Sequence, residues 1–100
     1  VENSCPWVVP ALHALGTLAH EATPLGWQCL SNPKDAIPVE AKAGDIVVFS
    51  SLTPHRTGPN LTNATRKAYI LQYAPDGARA FPGGSDTAVP QDDAARQYLV

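Results

Sequence analysis

Proline and glycine are the residues that most constrain the fold of this chain. The 100 residues include ten prolines and seven glycines, spread along most of the sequence. Proline cannot donate a backbone hydrogen bond inside a helix, and both residues favour turns, so this spacing excludes long helices. The sequence therefore predicts short strands joined by loops.

The distribution of apolar residues predicts the order of the elements. Alternating or β-branched apolar runs predict strands at 6–10, 39–43, 46–50 and 66–73, with a short extended piece at 53–57. Leucines spaced about one turn apart predict one or two helical turns within 11–21. The remaining predictions are loops at 22–38 and 58–65, turns at Gly44-Asp45 and 75–77, and mostly loop over 78–100 with a short helix after Asp93.

Strands separated by turns, with little helix, are typical of an antiparallel sandwich or jelly roll, so the expected fold class is mainly β. One hundred residues form one small domain or part of a larger one. The chain begins with valine and ends on the apolar stretch QYLV. We therefore expect it to be a piece of a longer protein.

Charge and hydropathy exclude two classes of partner. Seven basic residues against nine acidic residues give no polyanion-binding signature, so no nucleic-acid partner is expected. The longest apolar run, residues 46–49, is far too short to span a bilayer, so no membrane partner is expected. The sequence leaves the oligomeric state open.

The chemistry of the chain centres on His55 and Arg66. Side chains alternate along a strand, so an inward His55 would have Thr57 beside it and Arg56 on the opposite face. A neutral imidazole can ligate a metal, and a buried arginine can bind a carboxylate through two parallel hydrogen bonds. This combination suits a chelating keto-acid such as 2-oxoglutarate. On spacing alone, a solvated histidine and an exposed edge arginine explain the pattern as well.

The stretch GDIVVFSSLTPHRTGPNLTNATRKAYILQY resembles the C-terminal core of the phytanoyl-CoA dioxygenase family. The family pattern is a Gly-Asp turn, an apolar strand, a histidine, a Gly-x-Asn turn and an arginine, with ten residues between the histidine and the arginine. NSCPWVVPALH resembles a second family block, Asn-Gly-Cys followed by a strand and Pro-Gly-Ser-His. Here Ser4 replaces the first glycine and Ala11-Leu12 replace Gly-Ser, which puts in doubt any turn that needed glycine there.

This resemblance implies a partial double-stranded β-helix, a jelly-roll, cupin-like fold, belonging to an Fe(II)- and 2-oxoglutarate-dependent dioxygenase. By the same resemblance, His55 would ligate the iron, Arg66 would bind the distal carboxylate of 2-oxoglutarate and Thr57 would assist it. The strands bearing His55 and Arg66 would face each other across the barrel. The cosubstrates would be 2-oxoglutarate and O2, with ascorbate as a candidate auxiliary reductant, and the reaction would hydroxylate a small molecule.

The family's other two metal ligands form a His-x-Asp pair, and this sequence contains none: His13, His20 and His55 all lack a carboxylate two residues later. Residues 1–100 are therefore expected to be the C-terminal part of a single dioxygenase domain. One imidazole does not chelate Fe(II) in competition with water. The 100 residues alone are expected to bind iron poorly and to be inactive.

Several other residues have two interpretations each. Trp7 and His13 are candidates for the substrate pocket, as is Trp27, although core and surface roles are commoner for such residues. Asp45 is expected to cap its turn rather than bind metal. Cys5 and Cys29 fit a cytoplasmic enzyme with reduced thiols, whereas a disulfide between them and the sequons at Asn60 and Asn63 would fit a secreted, lectin-like jelly-roll module. A cupin-type zinc or manganese isomerase is a third hypothesis, which would not need Arg66.

Overall fold

The computed structural model describes residues 1–80 and 86–91, and in that part of the chain the secondary structure is mainly β, as predicted. The chain divides into two units, Val1–Ala68 and Tyr69–Val100. The strands are β1 Pro6–Val8, β2 Glu21–Thr23, β3 Gly26–Gln28, β4 Ile37–Pro38, β5 His55–Thr57, β6 Arg79–Ala80 and β7 Val89–Pro90. A single 3-10 turn at Leu12–Leu15 is the helical element of the described residues, which confirms the predicted short helical piece.

The first unit is organised around β1, which pairs with an antiparallel strand on each side in the order β4-β1-β5. Trp7 lies opposite Pro38 of β4 and opposite Arg56 of β5. Proline is tolerated in β4 because an edge strand needs to pair on one side only. Two further backbone bonds extend the pairing beyond the strand ends, from Val9 N to the Pro54 carbonyl oxygen (3.0 Å) and from Val39 N to the Pro6 carbonyl oxygen (2.8 Å).

The buried apolar core of the described residues is small and follows β1. Cys5 is 6% exposed and Val9 is 7% exposed, and these two residues flank the strand on either side. Both are small, apolar side chains of the kind most often found inside proteins. The predicted strand at 6–10 is therefore confirmed as the centre of the first unit, although its ladder ends at Val8.

The predicted loop over 22–38 is wrong in two places, because it contains a hairpin and an edge strand. In the hairpin, β2 pairs with β3, and Ala22 lies opposite Trp27. The Thr23 hydroxyl donates to the Gly26 carbonyl oxygen (2.8 Å) and accepts a bond from Leu25 N (3.2 Å), which closes the turn between the strands. Gly26 has a φ of 113°, which a residue with a Cβ rarely adopts.

The predicted strands at 39–43, 46–50 and 66–73 are also wrong, since the structure has no strand over these residues. Their side chains are largely exposed, and Ile46 and Val48 are 86% and 87% exposed. A strand exists only through hydrogen bonds to a neighbour, and no other described residues form a ladder with these segments. An apolar pattern indicates what a segment would do inside a sheet, but it does not supply the neighbouring strand.

The predicted turns are confirmed. Asp45 N donates to the Lys42 carbonyl oxygen (3.0 Å), and Gly44 occupies the third turn position with a φ of 98°. The Asp45 carboxylate accepts a bond from Lys42 N (2.8 Å), which is the capping role expected of it. In the second unit, Ala78 N donates to the Pro75 carbonyl oxygen (3.0 Å), and β6 pairs with β7 within the region predicted to be mostly loop. The short helix predicted after Asp93 lies outside the described residues.

Candidate functional site

The strand β5 places His55 and Thr57 on one face of the three-stranded sheet. His55 lies opposite Val8 and Thr57 lies opposite Pro6 across the β1–β5 ladder. Because side chains alternate along a strand, Arg56 lies on the other face together with Trp7. The predicted alternation of His55, Arg56 and Thr57 is therefore confirmed by the register.

The His55 imidazole is oriented by a backbone carbonyl. Its Nδ1 lies 2.9 Å from the Thr53 carbonyl oxygen. A carbonyl oxygen can only accept a hydrogen bond, so Nδ1 carries the hydrogen and, in the neutral ring, Nε2 carries the lone pair. His55 is exposed. Metal-ligating histidines usually have such a bond on the other ring nitrogen, but the bond alone does not identify one, since His20 has the same contact with the Leu18 carbonyl oxygen.

The His55 ring also has an aromatic neighbour. The centroid of the Phe49 ring lies 4.7 Å from the centroid of the imidazole, and the two planes are tilted by 54°. Tilted ring pairs at this separation are favourable and restrict the rotation of both side chains. The sequence assigns Phe49 only to an apolar strand and offers no signal for this contact.

Arg66 lies beyond the loop that follows β5, and the structure does not bring it to His55. The side chain is exposed, and no hydrogen bond or ion pair joins it to any described residue. Two surface depressions, of about 490 and 330 Å³, are lined by other residues. Neither depression is lined by His55 or Arg66, and the three-stranded sheet of the described residues has open edges and does not close into a barrel. The roles of His55, Thr57 and Arg66 stay predictions.

The loop after β5 is tied to the start of the chain. Asn60 forms a β-bridge with Asn3, the Leu61 amide donates to the Glu2 carbonyl oxygen (2.8 Å), and the Ser4 hydroxyl donates to the Gly58 carbonyl oxygen. These bonds join the two blocks that carry the family resemblance. They also place the Asn-x-Cys block directly beside the loop that leads to Arg66.

Asn60 organises that loop with its side chain. Its amide nitrogen donates to the Ala64 carbonyl oxygen (2.7 Å), and its amide oxygen accepts from the Thr62 amide (3.0 Å) and the Thr62 hydroxyl (2.7 Å). Asparagine followed two residues later by a hydroxyl residue commonly forms such a turn. The Asn-Leu-Thr sequence therefore has a structural role as a turn.

The two positions at which this chain departs from the family's glycines have left-handed backbones. Ser4 has a φ of 70° and Ala11 has a φ of 64°. Residues with a Cβ adopt this region at a cost, whereas glycine adopts it freely. Serine and alanine therefore occupy a strained conformation at the two positions where the resembling sequence pattern has glycine.

The other candidate residues are scattered. Trp7 is half-buried on the sheet face opposite His55, and the register does not support a pocket that contains both, so its assignment stays a prediction. His13 lies exposed on the 3-10 turn, and Trp27 is 57% exposed on the hairpin. Cys5 and Cys29 are both free thiols. Within the described residues, no three histidine, cysteine or acidic side chains are grouped so as to hold a metal ion, and no helix there is long and apolar enough to cross a membrane.

Comparison with known proteins identifies the family. The family model for phytanoyl-CoA dioxygenase (PhyH) matches residues 1–68. This chain belongs to the phytanoyl-CoA dioxygenase family. The matched range contains the whole Asn-x-Cys block, the block that bears His55 as far as Ala68, the three-stranded sheet, Thr57 and Arg66. The resemblance noted in the sequence is therefore confirmed.

A methylphosphonate hydroxylase from Gimesia maris is 33% identical to this chain over 72 residues. The matched residues are 72% of this chain and 28% of that relative. The chain therefore spans less than a third of the length of the curated relative that it matches. No solved structure matches the chain. Family membership and the hydroxylase relative together support an oxygenase, and they favour it over a lectin-like binding module.

Proposed function

We propose that the protein containing this chain is an Fe(II)- and 2-oxoglutarate-dependent dioxygenase that hydroxylates a small molecule. Residues 1–100 would be the C-terminal part of its catalytic domain. The proposal is supported by membership of the phytanoyl-CoA dioxygenase family and by the similarity to a hydroxylase. A cytoplasmic location, in keeping with two free thiols, and the absence of a nucleic-acid partner, in keeping with the charge balance, belong to the same proposal.

The observation that carries the proposal is the match of the phytanoyl-CoA dioxygenase family model to residues 1–68, a range that contains His55, and the state of the His55 ring is compatible with it. The bond from Nδ1 to the Thr53 carbonyl leaves the lone pair on Nε2, on an exposed side chain. Fe(II) accepts imidazole nitrogen as a ligand, and non-haem iron oxygenases use two histidines and one carboxylate on one face of the metal. His55 fits one of these three places. The other two would come from a His-x-Asp pair outside these 100 residues, since the sequence contains none.

Arg66 and Thr57 are proposed to hold 2-oxoglutarate. The Arg66 guanidinium has no partner among the described residues, so it is free to bind a carboxylate through two parallel hydrogen bonds. Thr57 lies on the same sheet face as His55 and can donate a hydroxyl hydrogen bond to the same ligand. In this proposal Arg66 approaches the His55 face only when further strands complete the barrel.

The iron would supply the oxidative chemistry, with O2 and 2-oxoglutarate as cosubstrates and ascorbate as an auxiliary reductant. The contribution of this chain is positional. His55 presents one nitrogen at a set angle, Arg66 fixes the distal end of the keto-acid, and the apolar segment 46–49 would help to exclude water from the completed site.

The substrate is proposed to be a small molecule, and methylphosphonate is the first compound to test. The reason is the name of the Gimesia maris relative, a methylphosphonate hydroxylase. Succinate formed from 2-oxoglutarate, measured with and without each candidate compound, would identify the substrate that couples decarboxylation to hydroxylation.

The test of the proposal compares two histidine variants of the full-length protein. His55→Ala is expected to abolish Fe(II)-dependent succinate formation and to weaken Fe(II) binding measured by anaerobic titration, because one of three ligands is lost. His20→Ala is the matched control. Its Nδ1 lies 2.7 Å from the Leu18 carbonyl oxygen, so it shares the local geometry without the proposed role, and its activity should be unchanged. Equal Fe(II) binding by His55→Ala and the parent would overturn the proposal.

The role of Arg66 has a separate test. Arg66→Ala should raise the concentration of 2-oxoglutarate needed for half-maximal succinate formation by about tenfold or more, since it removes a charge-assisted bidentate pair that contributes about 1.5–3 kcal/mol. Lys67→Ala removes the neighbouring positive charge and should leave that concentration unchanged. An unaltered 2-oxoglutarate requirement in Arg66→Ala would refute the assignment.

A further inference from the structure

The segment between Phe49 and His55 folds back on itself. The Thr53 amide donates to the Ser50 carbonyl oxygen (2.9 Å), and the Leu52 amide donates to the Ser50 hydroxyl (3.2 Å). This turn reverses the chain immediately before Pro54. It therefore brings a side chain six residues earlier in the sequence next to the imidazole of His55.

The same turn sets the position of the Thr53 carbonyl. The Thr53 amide is bound to Ser50, and the following proline restricts the backbone of Thr53 to extended conformations. The Pro54 carbonyl in turn accepts a bond from Val9 N (3.0 Å), which anchors the segment to the central strand. The acceptor for His55 Nδ1 is thus held by bonds that do not involve His55 itself.

Two contacts then define the orientation of the imidazole. The Thr53 carbonyl lies 2.9 Å from Nδ1, and the Phe49 ring lies 4.7 Å away by centroid at a tilt of 54°. The torsion that turns a histidine ring is broad and roughly two-fold, so a single hydrogen bond leaves the flipped orientation accessible. A second ring packed against the imidazole at a fixed tilt disfavours rotation through the intermediate angles.

We infer that Phe49 is a positioning residue for His55: its ring and the Thr53 carbonyl together hold the imidazole in the one tautomer and orientation that presents Nε2 to a metal. This inference rests on the proposed function for the identity of the metal, but the orientation of the ring does not depend on it. Replacing a residue that orients a metal-binding histidine typically lowers the metal affinity by about 10–100-fold.

His20 provides an internal comparison in the same chain. Its Nδ1 also contacts the carbonyl of the residue two positions earlier, Leu18, at 2.7 Å. The ring contact described for His55 has no counterpart at His20 within the residues that the structure describes. A change at Phe49 should therefore affect the tautomer of His55 and leave that of His20 unaltered.

The experiment uses the full-length protein without metal, labelled with ¹⁵N, at a pH at which imidazole is neutral. The ¹⁵N shifts of each ring report its tautomer. In Phe49→Leu we expect the His55 signals to move toward a mixture of tautomers, with His20 unchanged, and Fe(II) affinity to fall by about tenfold. Phe49→Tyr keeps the ring and should retain both the tautomer and the affinity.

A single His55 tautomer in Phe49→Leu, together with unchanged Fe(II) affinity, would overturn the inference. If Phe49→Leu does not fold, Phe49→Met removes the ring while keeping an unbranched apolar side chain, and the same two outcomes apply. Loss of Fe(II) binding in His55→Ala without any effect of Phe49→Leu would reject this inference alone. Unchanged Fe(II) binding in His55→Ala would reject the proposed function, while the tautomer shift would still test the contact.

Discussion

Ser4 and Ala11 show that single residues other than glycine can hold a left-handed backbone. Both occupy positions where the resembling sequence pattern has glycine, and their φ values are 70° and 64°. Serine has a partial compensation, since its hydroxyl donates to the Gly58 carbonyl oxygen. Alanine has no polar group with which to compensate, and its own carbonyl accepts the Ala14 amide at 3.1 Å as the first bond of the 3-10 turn.

Replacing the strained alanine should therefore stabilise the protein. Ala11→Gly is expected to raise the free energy of unfolding by about 1 kcal/mol, because the steric cost of a Cβ at this φ exceeds the entropy that glycine adds to the unfolded chain. Urea unfolding of the full-length protein followed by circular dichroism measures the change.

Ser4→Gly is the matched control for Ala11→Gly. It relieves the same kind of strain but loses the hydroxyl bond to Gly58, which contributes about 1 kcal/mol, so its net effect should be close to zero. A decrease in stability for Ala11→Gly would contradict the assignment of backbone strain to Ala11.

At the scale of elements, the turn from Lys42 to Asp45 is the feature that both sequence and structure define. Gly44 provides the positive φ, and the Asp45 carboxylate closes the turn by accepting the Lys42 amide. Space does not explain the need for glycine at this position, since a Cβ there would meet nothing within 4 Å. The requirement is one of backbone conformation.

Gly44→Ala should consequently lower the free energy of unfolding by about 1 kcal/mol or more, although the side chain has room. Gly58→Ala is the control, because its Cβ would also meet nothing within 4 Å and its backbone does not lie in the left-handed region. That variant should be neutral or slightly stabilising. Comparing the thermal unfolding of the two variants distinguishes a requirement for backbone conformation from one for side-chain space. Equal changes in stability in the two variants would argue against the conformational explanation.

The sequence predicted the elements whose determinants are local. The extended piece around His55, the turn at Gly44 and the apolar strand around Trp7 depend on neighbouring residues, and the structure contains all three. The hairpin was missed because its turn, Pro24-Leu25, is not an Asn-Gly type and its strands are only three residues long. The strand predicted at 46–50 required a partner strand, which no local pattern encodes.

The candidate site divides in the same way. The shared face of His55 and Thr57 follows from strand alternation, so the sequence predicted it. The contact between Phe49 and His55 depends on a turn stabilised by the Ser50 hydroxyl, and it could not be predicted from residue types. The proposed approach of Arg66 to His55 would need a closed barrel, and the role assigned to Arg66 came from the family resemblance.

At the scale of the whole molecule, the state of the two cysteines distinguishes a cytoplasmic enzyme from a secreted module. Cys5 is buried beside the central strand, Cys29 is half-buried after the hairpin, and both are free. A secreted module with a disulfide between them would have no thiol to titrate, whereas a cytoplasmic enzyme would have both.

Thiol titration of the full-length protein, with each cysteine followed by mass spectrometry, should find both free after denaturation. Under native conditions Cys29 should react faster than Cys5, because the reagent reaches a half-buried thiol more readily than one that is 6% exposed. Recovery of a Cys5–Cys29 disulfide from the non-reduced protein would favour the secreted module instead.

The β2–β3 hairpin can be changed with little effect on the other strands, which matters for its evolution and for engineering. Among the described strands, β2 and β3 pack only on each other. Doubling the length of such an excursion costs only about 0.6 kcal/mol in loop closure, so it can be lengthened, shortened or exchanged with little effect on the central sheet. Transplanting this hairpin between members of the phytanoyl-CoA dioxygenase family is thus a practical route to chimaeras that keep the sheet bearing His55 while varying what surrounds it.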